Sequence, residues 1–425
     1  MVFDKRNYCG PKCVDLFAGC GGLSYGLHAA GFQVVFANEK DKDAVNSYRN
    51  NFGRVEIDER DSRIVLEELI SQRGNLSDIS NDVDLIVGGP PCQGFSQINR
   101  YRSSADPRNS LIEVFLAFIL NIRPKLVLME NVTGLLTLEG GNALNSIILE
   151  LQSAGYEVLL GIFQAGHFGV SQNRWRVILS AKRQDVLSQL SFPGPMHAFH
   201  STSFVGMPLW KKFVIRTPQH DLFEDSGKGL LPPTTVEDAI GDLPLDVGVE
   251  LDRSIGYEIE AKSKFQRLMR GECTELYDHI AASIEDITAK RIEAIPEGGN
   301  WTNLPPELQP TNLASYTKEK GAFRGRYGRL DRAKHFSAIV TKPEPYWGRY
   351  IHPTSNRLIS ARECARAQTF SDVFRFSGAI GSRYRQIGNA VPPLLAYHLG
   401  RKLMAALGIR LSQTLELSYG KSFKT

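Results

Sequence analysis

The chain has 425 residues, 42% hydrophobic and 23% charged, enough for a large buried core and about two domains. A net charge of +4 spreads no strong basic field over the molecule, so nucleic acid is not announced by charge alone. The six cysteines, at 9, 13, 20, 92, 273 and 364, include no Cys-x-x-Cys pair, which favours reduced thiols over a disulfide frame or a metal site.

The longest apolar run, Val114–Leu120, is too short to span a bilayer, and Met1–Arg6 holds no apolar signal core. A cytoplasmic, membrane-free protein is expected. In chain order, the run from Val14 through Gly22 reads as a strand entering a tight glycine turn, and Leu23–Ala30 as a helix that stops at Gly31. Such a turn allows close backbone approach, with free N–H groups at the helix start. After a second strand, Gln33–Ala37, comes Glu39, twenty positions beyond Gly19, where an acid suits the hydroxyls of a ribose. A nucleoside-bearing cofactor is the favoured reading. A nicotinamide-dependent dehydrogenase is set aside, because Gly19-Cys20-Gly21-Gly22-Leu23-Ser24 ends in serine where the pyrophosphate turn needs glycine.

A buried strand, Val83–Val87, leads into Gly88-Gly89-Pro90-Pro91-Cys92-Gln93-Gly94-Phe95-Ser96. Two glycines permit a sharp turn, and two prolines stiffen the backbone leading into the cysteine. A thiol on a loop at the carboxyl end of a strand is presented to the crevice where open α/β sheets bind ligands. A small buried hydrophobe is the bland alternative for Cys92. Further strands are expected at Lys125–Met129, Tyr156–Leu160 and Arg176–Ala181, with a helix at Asn142–Ala154. The alternation predicts an α/β fold with a doubly wound, mostly parallel sheet.

From about Arg183 to His335 the pattern loosens. Val236–Glu260 carries eight acids and one base, read as a solvated face. Lys318–Lys334 is the reverse, with Arg324, Arg326 and Arg329 among seven bases, beside Tyr327 and three glycines, as in a loop that tracks a phosphate backbone. A solvated basic loop is the alternative. Regularity returns with a capping box at Ser360–Glu363 and a final helix at Pro392–Leu403. The expected division is 1–182 and 336–425 for a sheet domain built from both ends, with 183–335 inserted as a smaller irregular domain.

Six blocks in order resemble those of the C5-cytosine DNA methyltransferases, over about Val14 to Ala396: Asp15–Gly22, Gly89–Gln93, Glu130-Asn131-Val132, Gln172–Arg176, Arg362–Arg366 and Gly388–Pro393. The resemblance implies a Rossmann-like S-adenosylmethionine-dependent fold of the compact bacterial or phage type, with 183–335 as a target-recognition domain. It implies Cys92 as the nucleophile toward cytosine carbon 6, Glu130 at ring nitrogen 3, and Arg174 and Arg176, spaced to share one strand face, at oxygen 2 and the nucleophile loop. For S-adenosylmethionine, converted to S-adenosylhomocysteine, it implies Phe17 on the adenine, Gly19, Gly21 and Gly22 by the methionine part, Glu39 on the ribose and Asp61 at the adenine amino group. Pro90, Asn389 and Val391 complete that pocket. Asp58-Glu59-Arg60-Asp61 departs from the family's Gly-Asp pattern, which weakens the assignment of Asp61.

Double-stranded DNA is the implied partner, touched by Gln93, Ser96, Arg324, Arg326 and Arg329. A monomer, no metal, and a cognate restriction endonuclease in the same system are also implied. Two other readings stand beside this one, an RNA cytosine-5 methyltransferase and a catalytically inactive DNA-binding regulator. The long insert argues against the first, and the intact Cys92, Glu130, Arg174 and Arg176 against the second.

Overall fold

A computed structural model describes residues 10–91, 110–199, 208–215, 229–310 and 325–409. Cys92, Gln93, Ser96 and Arg324 lie outside the described residues. The chain divides into two compact units, one of 1–169, 175–232 and 390–425, the other of 170–174 and 233–389.

The first unit opens with β1 (Lys12–Leu16), α1 (Gly22–Ala30), β2 (Gln33–Asn38), α2 (Lys42–Asn51), β3 (Glu56–Asp58), α3 (Ser62–Ile70), α4 (Asn75–Ile79) and β4 (Leu85–Gly88). It continues with α5 (Ser110–Ile122), β5 (Leu126–Val132), α6 (Asn142–Ser153) and β6 (Tyr156–Gln164). β7 (Gln172–Asn173) belongs to the second unit, and β8 (Trp175–Arg183) and β9 (Val214–Ile215) return to the first. The sheet order is β3-β2-β1-β4-β5-β8-β6-β9. β1 to β5 pair in parallel, whereas β8 runs antiparallel to both β5 and β6. The expected mostly parallel α/β sheet is present. β1 and β4 are buried almost throughout, as strands covered by helices on both faces must be.

The register aligns the strand ends. Asp58 pairs with Asn38, Asn38 with Leu16, Leu16 with Gly88, and Gly88 with Met129. This row marks the carboxyl edge of the sheet, and Phe17, Glu39, Gly89 and Glu130 each come one position after a member of it. Behind that edge, α1 packs on the last helix, Pro393–Ala406. Two glycines allow the close approach: a Cβ on Gly26 would lie 2.2 Å from the Pro393 carbonyl oxygen, and one on Gly400 2.7 Å from the Ala30 Cβ. The two ends of the chain therefore build one layer.

The unit boundaries differ from the expected 183 and 335. Residues 183–232 join the sheet unit because β9 pairs with β6 and the Met196 and His197 amides donate to the His167 carbonyl. Residues 336–389 join the second unit because buried arginines tie them to the insert. Arg366 bonds Asp242 at 2.7 Å and Asp372 at 2.6 Å, and Arg362 meets Asp278 at 3.0 Å. With only two-residue strands and short helices, this unit relies on such pairs, whose partners are costly to remove singly. Asp242 is thus buried, and Asp238 belongs to a capping box with Thr235, so the acidic segment is not simply a solvated face.

Candidate active site

The glycine turn leaves β1 in a left-handed conformation, with φ of 57° at Phe17, 57° at Gly19 and 100° at Gly21. Gly21 has a second constraint, since a Cβ there would come within 2.5 Å of the Phe52 ring. Gly19 has none: no atom of the described residues lies within 4 Å of where its Cβ would stand. The Gly19 amide donates to Glu39 Oε2 at 3.0 Å, and the Asp41 amide to Glu39 Oε1 at 2.8 Å. Burial pushes the Glu39 carboxyl up, against the pull of those N–H donors. An acid held beside an open glycine cradle fits a cofactor carrying a ribose, as the resemblance implies for S-adenosylmethionine.

Beneath the turn lies Asp15, fully buried. Its Oδ2 accepts from Ser24 Oγ at 2.6 Å, and Ser24 Oγ lies 2.7 Å from Tyr48 Oη. The other oxygen, Oδ1, is buried without a hydrogen-bond partner among the described residues. Sequence reasoning passed over this residue; an acid inside an apolar strand was the available signal. Asp61 is the N-cap of α3, accepting from the Arg63 amide at 3.0 Å, with Lys40 Nζ at 3.7 Å from its Oδ2.

Glu130 lies within β5, one residue past its last partner on β4, and is 7% exposed. Its Oε1 lies 2.6 Å from Arg176 Nε, an ion pair whose two atoms are not aligned as a hydrogen bond. Burial lowers the pKa of Arg176, and Glu130 counters that shift. The chain leading to Cys92 passes close by, since a Cβ on Gly89 would sit 3.4 Å from Glu130 Oε2. Asn131, to which the sequence alone assigns no task, donates its Nδ2 to the Pro90 carbonyl at 3.0 Å and so pins the chain leading to Cys92 to β5. Three described thiols, Cys13, Cys20 and Cys364, are buried and pushed up by burial, which removes them as nucleophiles.

The two arginines of the Gln172–Arg176 block do not share one set of contacts. Arg176 meets Glu130 in the sheet unit. Arg174, 2% exposed, gives Nη1 to the Ile339 carbonyl at 3.0 Å and Nη2 to the Gly388 carbonyl at 2.9 Å, two bonds within the second unit. It therefore anchors the peptide just before Asn389, which is exposed at the end of the helix Ile380–Asn389, whereas Val391 is buried. The expectation that the two alternate along one strand face is corrected, since Arg174 falls between β7 and β8 and Arg176 lies within β8.

Arg329 needs a second correction. It is 4% exposed, and its guanidinium serves the carbonyls of Ile292, Ile295, His352 and Ser355 and the Asn356 side chain. A group so committed holds the fold together and is not offered to a phosphate. Arg326 is different: its guanidinium lies over the Tyr346 ring, 4.7 Å from the centroid. Among the described residues no group of three or more His, Cys, Asp or Glu is placed to hold a metal ion, and no helix is long and apolar enough to cross a membrane.

Comparison with known proteins agrees with this arrangement. The family model for C-5 cytosine-specific DNA methylases matches residues 11–405. The chain is 34% identical over 443 residues to DNA (cytosine-5)-methyltransferase 2 of Arabidopsis thaliana, covering 94% of this chain and 29% of that protein. It is 32% identical over 463 residues to DNA (cytosine-5)-methyltransferase 1 of Mus musculus, covering 93% and 28%. The chain thus spans under a third of the length of these relatives. Among solved structures, one of a protein encoded within an E. coli prophage aligns with a TM-score of 0.67 at 24% identity, over 94% of this chain and 99% of that one, a likeness of fold. With the family match running through the glycine turn, Glu130 and the arginine block, the chain belongs to the C-5 cytosine-specific DNA methylases.

Proposed function

We propose that the protein transfers a methyl group from S-adenosylmethionine to carbon 5 of a cytosine flipped out of a short duplex DNA sequence. The observation that carries the reading is the placement of Glu130 and Arg176 at the carboxyl edge of the sheet, beside Gly89 and Pro90 and in the same layer as the open glycine turn. Carbon 5 of cytosine is a poor nucleophile. Addition of the Cys92 thiolate at carbon 6 turns the ring into an enamine with electron density on carbon 5. Charge then develops toward nitrogen 3 and oxygen 2. Glu130 meets nitrogen 3, and Arg176 fixes the Glu130 carboxyl and faces the developing charge. S-adenosylmethionine supplies the electrophilic methyl group. Loss of the carbon 5 proton afterwards expels the thiolate and restores the aromatic ring.

For the cofactor, Gly19 leaves the space, Glu39 holds the ribose hydroxyls, and Phe17 and Asp61 take the adenine. Arg174 acts at one remove, by seating the peptide before Asn389. The second unit sets which sequence is methylated, because flipping costs a few kcal/mol that contacts to neighbouring bases and phosphates must offset. The setting proposed is a cytoplasmic restriction-modification system, with an endonuclease of matching specificity as partner.

The test is a mixed-sequence duplex in which 5-fluorocytosine replaces cytosine. Fluorine does not leave as a proton does, so a denaturation-resistant protein–DNA adduct through Cys92 is expected only with S-adenosylmethionine present. Methyl transfer to ordinary DNA without any adduct on the fluorinated duplex would overturn the covalent route.

A further inference from the structure

In the second unit, two arginines and three aromatic rings stack into a ladder that ends at the surface. Arg291 lies 5.4 Å from the Tyr327 ring centroid and donates Nη1 to its hydroxyl at 3.2 Å. Tyr327 meets Tyr346 edge to face at 6.2 Å, and Tyr346 meets Trp347 edge to face at 4.8 Å. Arg326 spans the outer pair, 4.7 Å from the Tyr346 centroid and 5.7 Å from that of Trp347, with Nη1 donating to Tyr346 Oη at 3.2 Å. The inner end is fixed in the apolar cluster of Ile292, Ile295, Trp301 and Leu304. The outer end is not: Trp347 is 57% exposed.

The backbone is built to hold this ladder. Tyr327 has φ 47°, a left-handed conformation that a bulky residue adopts only when its surroundings enforce it. Its amide donates to the Pro345 carbonyl at 2.5 Å, and the Gly328 amide to the Gly348 carbonyl at 3.2 Å. Neither glycine has room for a Cβ, since one on Gly328 would lie 2.2 Å from Arg349 Cγ and one on Gly348 2.5 Å from the Tyr350 ring. The segments bearing Arg326 and Trp347 are therefore locked together. Arg326 also makes no ion pair among the described residues, and its Nε is buried without a hydrogen-bond partner. Among the described residues, aromatic faces and not carboxylates hold this guanidinium.

A rigid, exposed indole backed by a guanidinium matches what a nucleic-acid base and its phosphate require: a flat apolar face for stacking and a fixed cation beside it. We infer that Trp347, supported by Arg326 and Tyr346, is a stacking platform for a DNA base. This rests on the reading of the protein as a DNA methylase acting on duplex DNA. It adds the side chain that contacts a base from the second unit and the mode of that contact.

The test uses the full chain, a short labelled duplex of mixed sequence, and the variants Trp347→Ala and Trp347→Phe, with affinity measured by fluorescence anisotropy across a range of salt. Loss of one stacked base weakens binding by roughly 5- to 150-fold. Trp347→Ala is expected to fall in that range, with the salt slope unchanged because no charge is removed, and Trp347→Phe to keep most of the affinity. Thermal unfolding of both variants should match the parent, since the indole is exposed. Binding by Trp347→Ala within twofold of the parent, while the parent still transfers labelled methyl groups to DNA, overturns the platform alone. A parent that neither binds nor methylates DNA overturns the underlying reading as well. Tight binding of an aromatic or proline-rich peptide by the parent but not by Trp347→Ala, with DNA affinity unaltered, assigns the platform to a protein partner and also overturns the inference.

Discussion

Arg176 Nε lies 2.6 Å from Glu130 Oε1, joining β8 to its antiparallel neighbour β5 near the end of that strand. The pair is almost fully enclosed, with side-chain exposures of 13% and 9%. Removing one partner of such a pair strands the other, at about 3–5 kcal/mol, so truncation would mix a folding defect into any kinetic effect. Glu130→Gln keeps the shape and loses the charge. It is expected to lower methyl transfer by about 10²- to 10⁴-fold, the range of positioned proton transfer, with S-adenosylmethionine affinity nearly unchanged. Turnover within a few-fold of the parent would remove Glu130 from the chemistry.

The buried Asp15 makes stability depend on pH. Burial pushes its carboxyl up to about 7 from 3.8. With the folded value raised, the contribution of the neutral form is complete below the unfolded value and is lost as pH rises through about 7. Cys13, Cys20, Glu39 and Tyr48 surround it, and none supplies a cation to offset the charge. Asp15 alone thus costs on the order of 4 kcal/mol across that interval. Asp15→Asn should flatten this part of the stability curve, checked by thermal unfolding of both proteins at mildly acidic and mildly alkaline pH. An identical pH dependence in the two would refute it.

Two arginines three positions apart separate a structural role from a binding role. Arg329→Ala leaves several buried carbonyls without donors and should destabilise the protein by several kcal/mol, read as a large drop in Tm. Arg326→Ala should keep the fold and weaken DNA binding, with the salt slope reduced by about one. The opposite assignment, a stable Arg329 variant with a reduced slope, would restore the basic loop that composition suggests.

Arg174→Lys offers a further contrast. A lysine ammonium lacks the planar fork that reaches the Ile339 and Gly388 carbonyls together. Since Gly388 precedes Asn389, S-adenosylmethionine affinity is expected to fall more than the rate at saturating cofactor. Equal loss in both would argue that Arg174 touches the substrate itself.

Much of this site was legible because short-range chemistry fixes it. The turn after Leu16 needs φ values that glycine supplies, and the spacing to Glu39 is that of one βαβ unit. Ser360 and Glu363 form the capping box that their spacing implied. The features that stayed hidden depend on long-range pairing. Arg174 and Arg176 look alike in sequence, and only the different partners Gly388 and Glu130 separate them. Arg329 reads as one base among seven until the carbonyls around it are seen. The unit division differs from the expected boundary at 335 for the same reason: Arg366 pairs with Asp242, a partner 124 positions away.

Bisulfite sequencing of DNA from cells expressing either the parent or Cys92→Ser reads out whether Cys92 carries methylation of cytosine carbon 5. Protected cytosines recurring within one short sequence are expected in the parent and none in the serine variant, because a hydroxyl at neutral pH is a far weaker nucleophile than a thiolate. No protected cytosines with the parent, or the same pattern with the serine variant, would contradict that role.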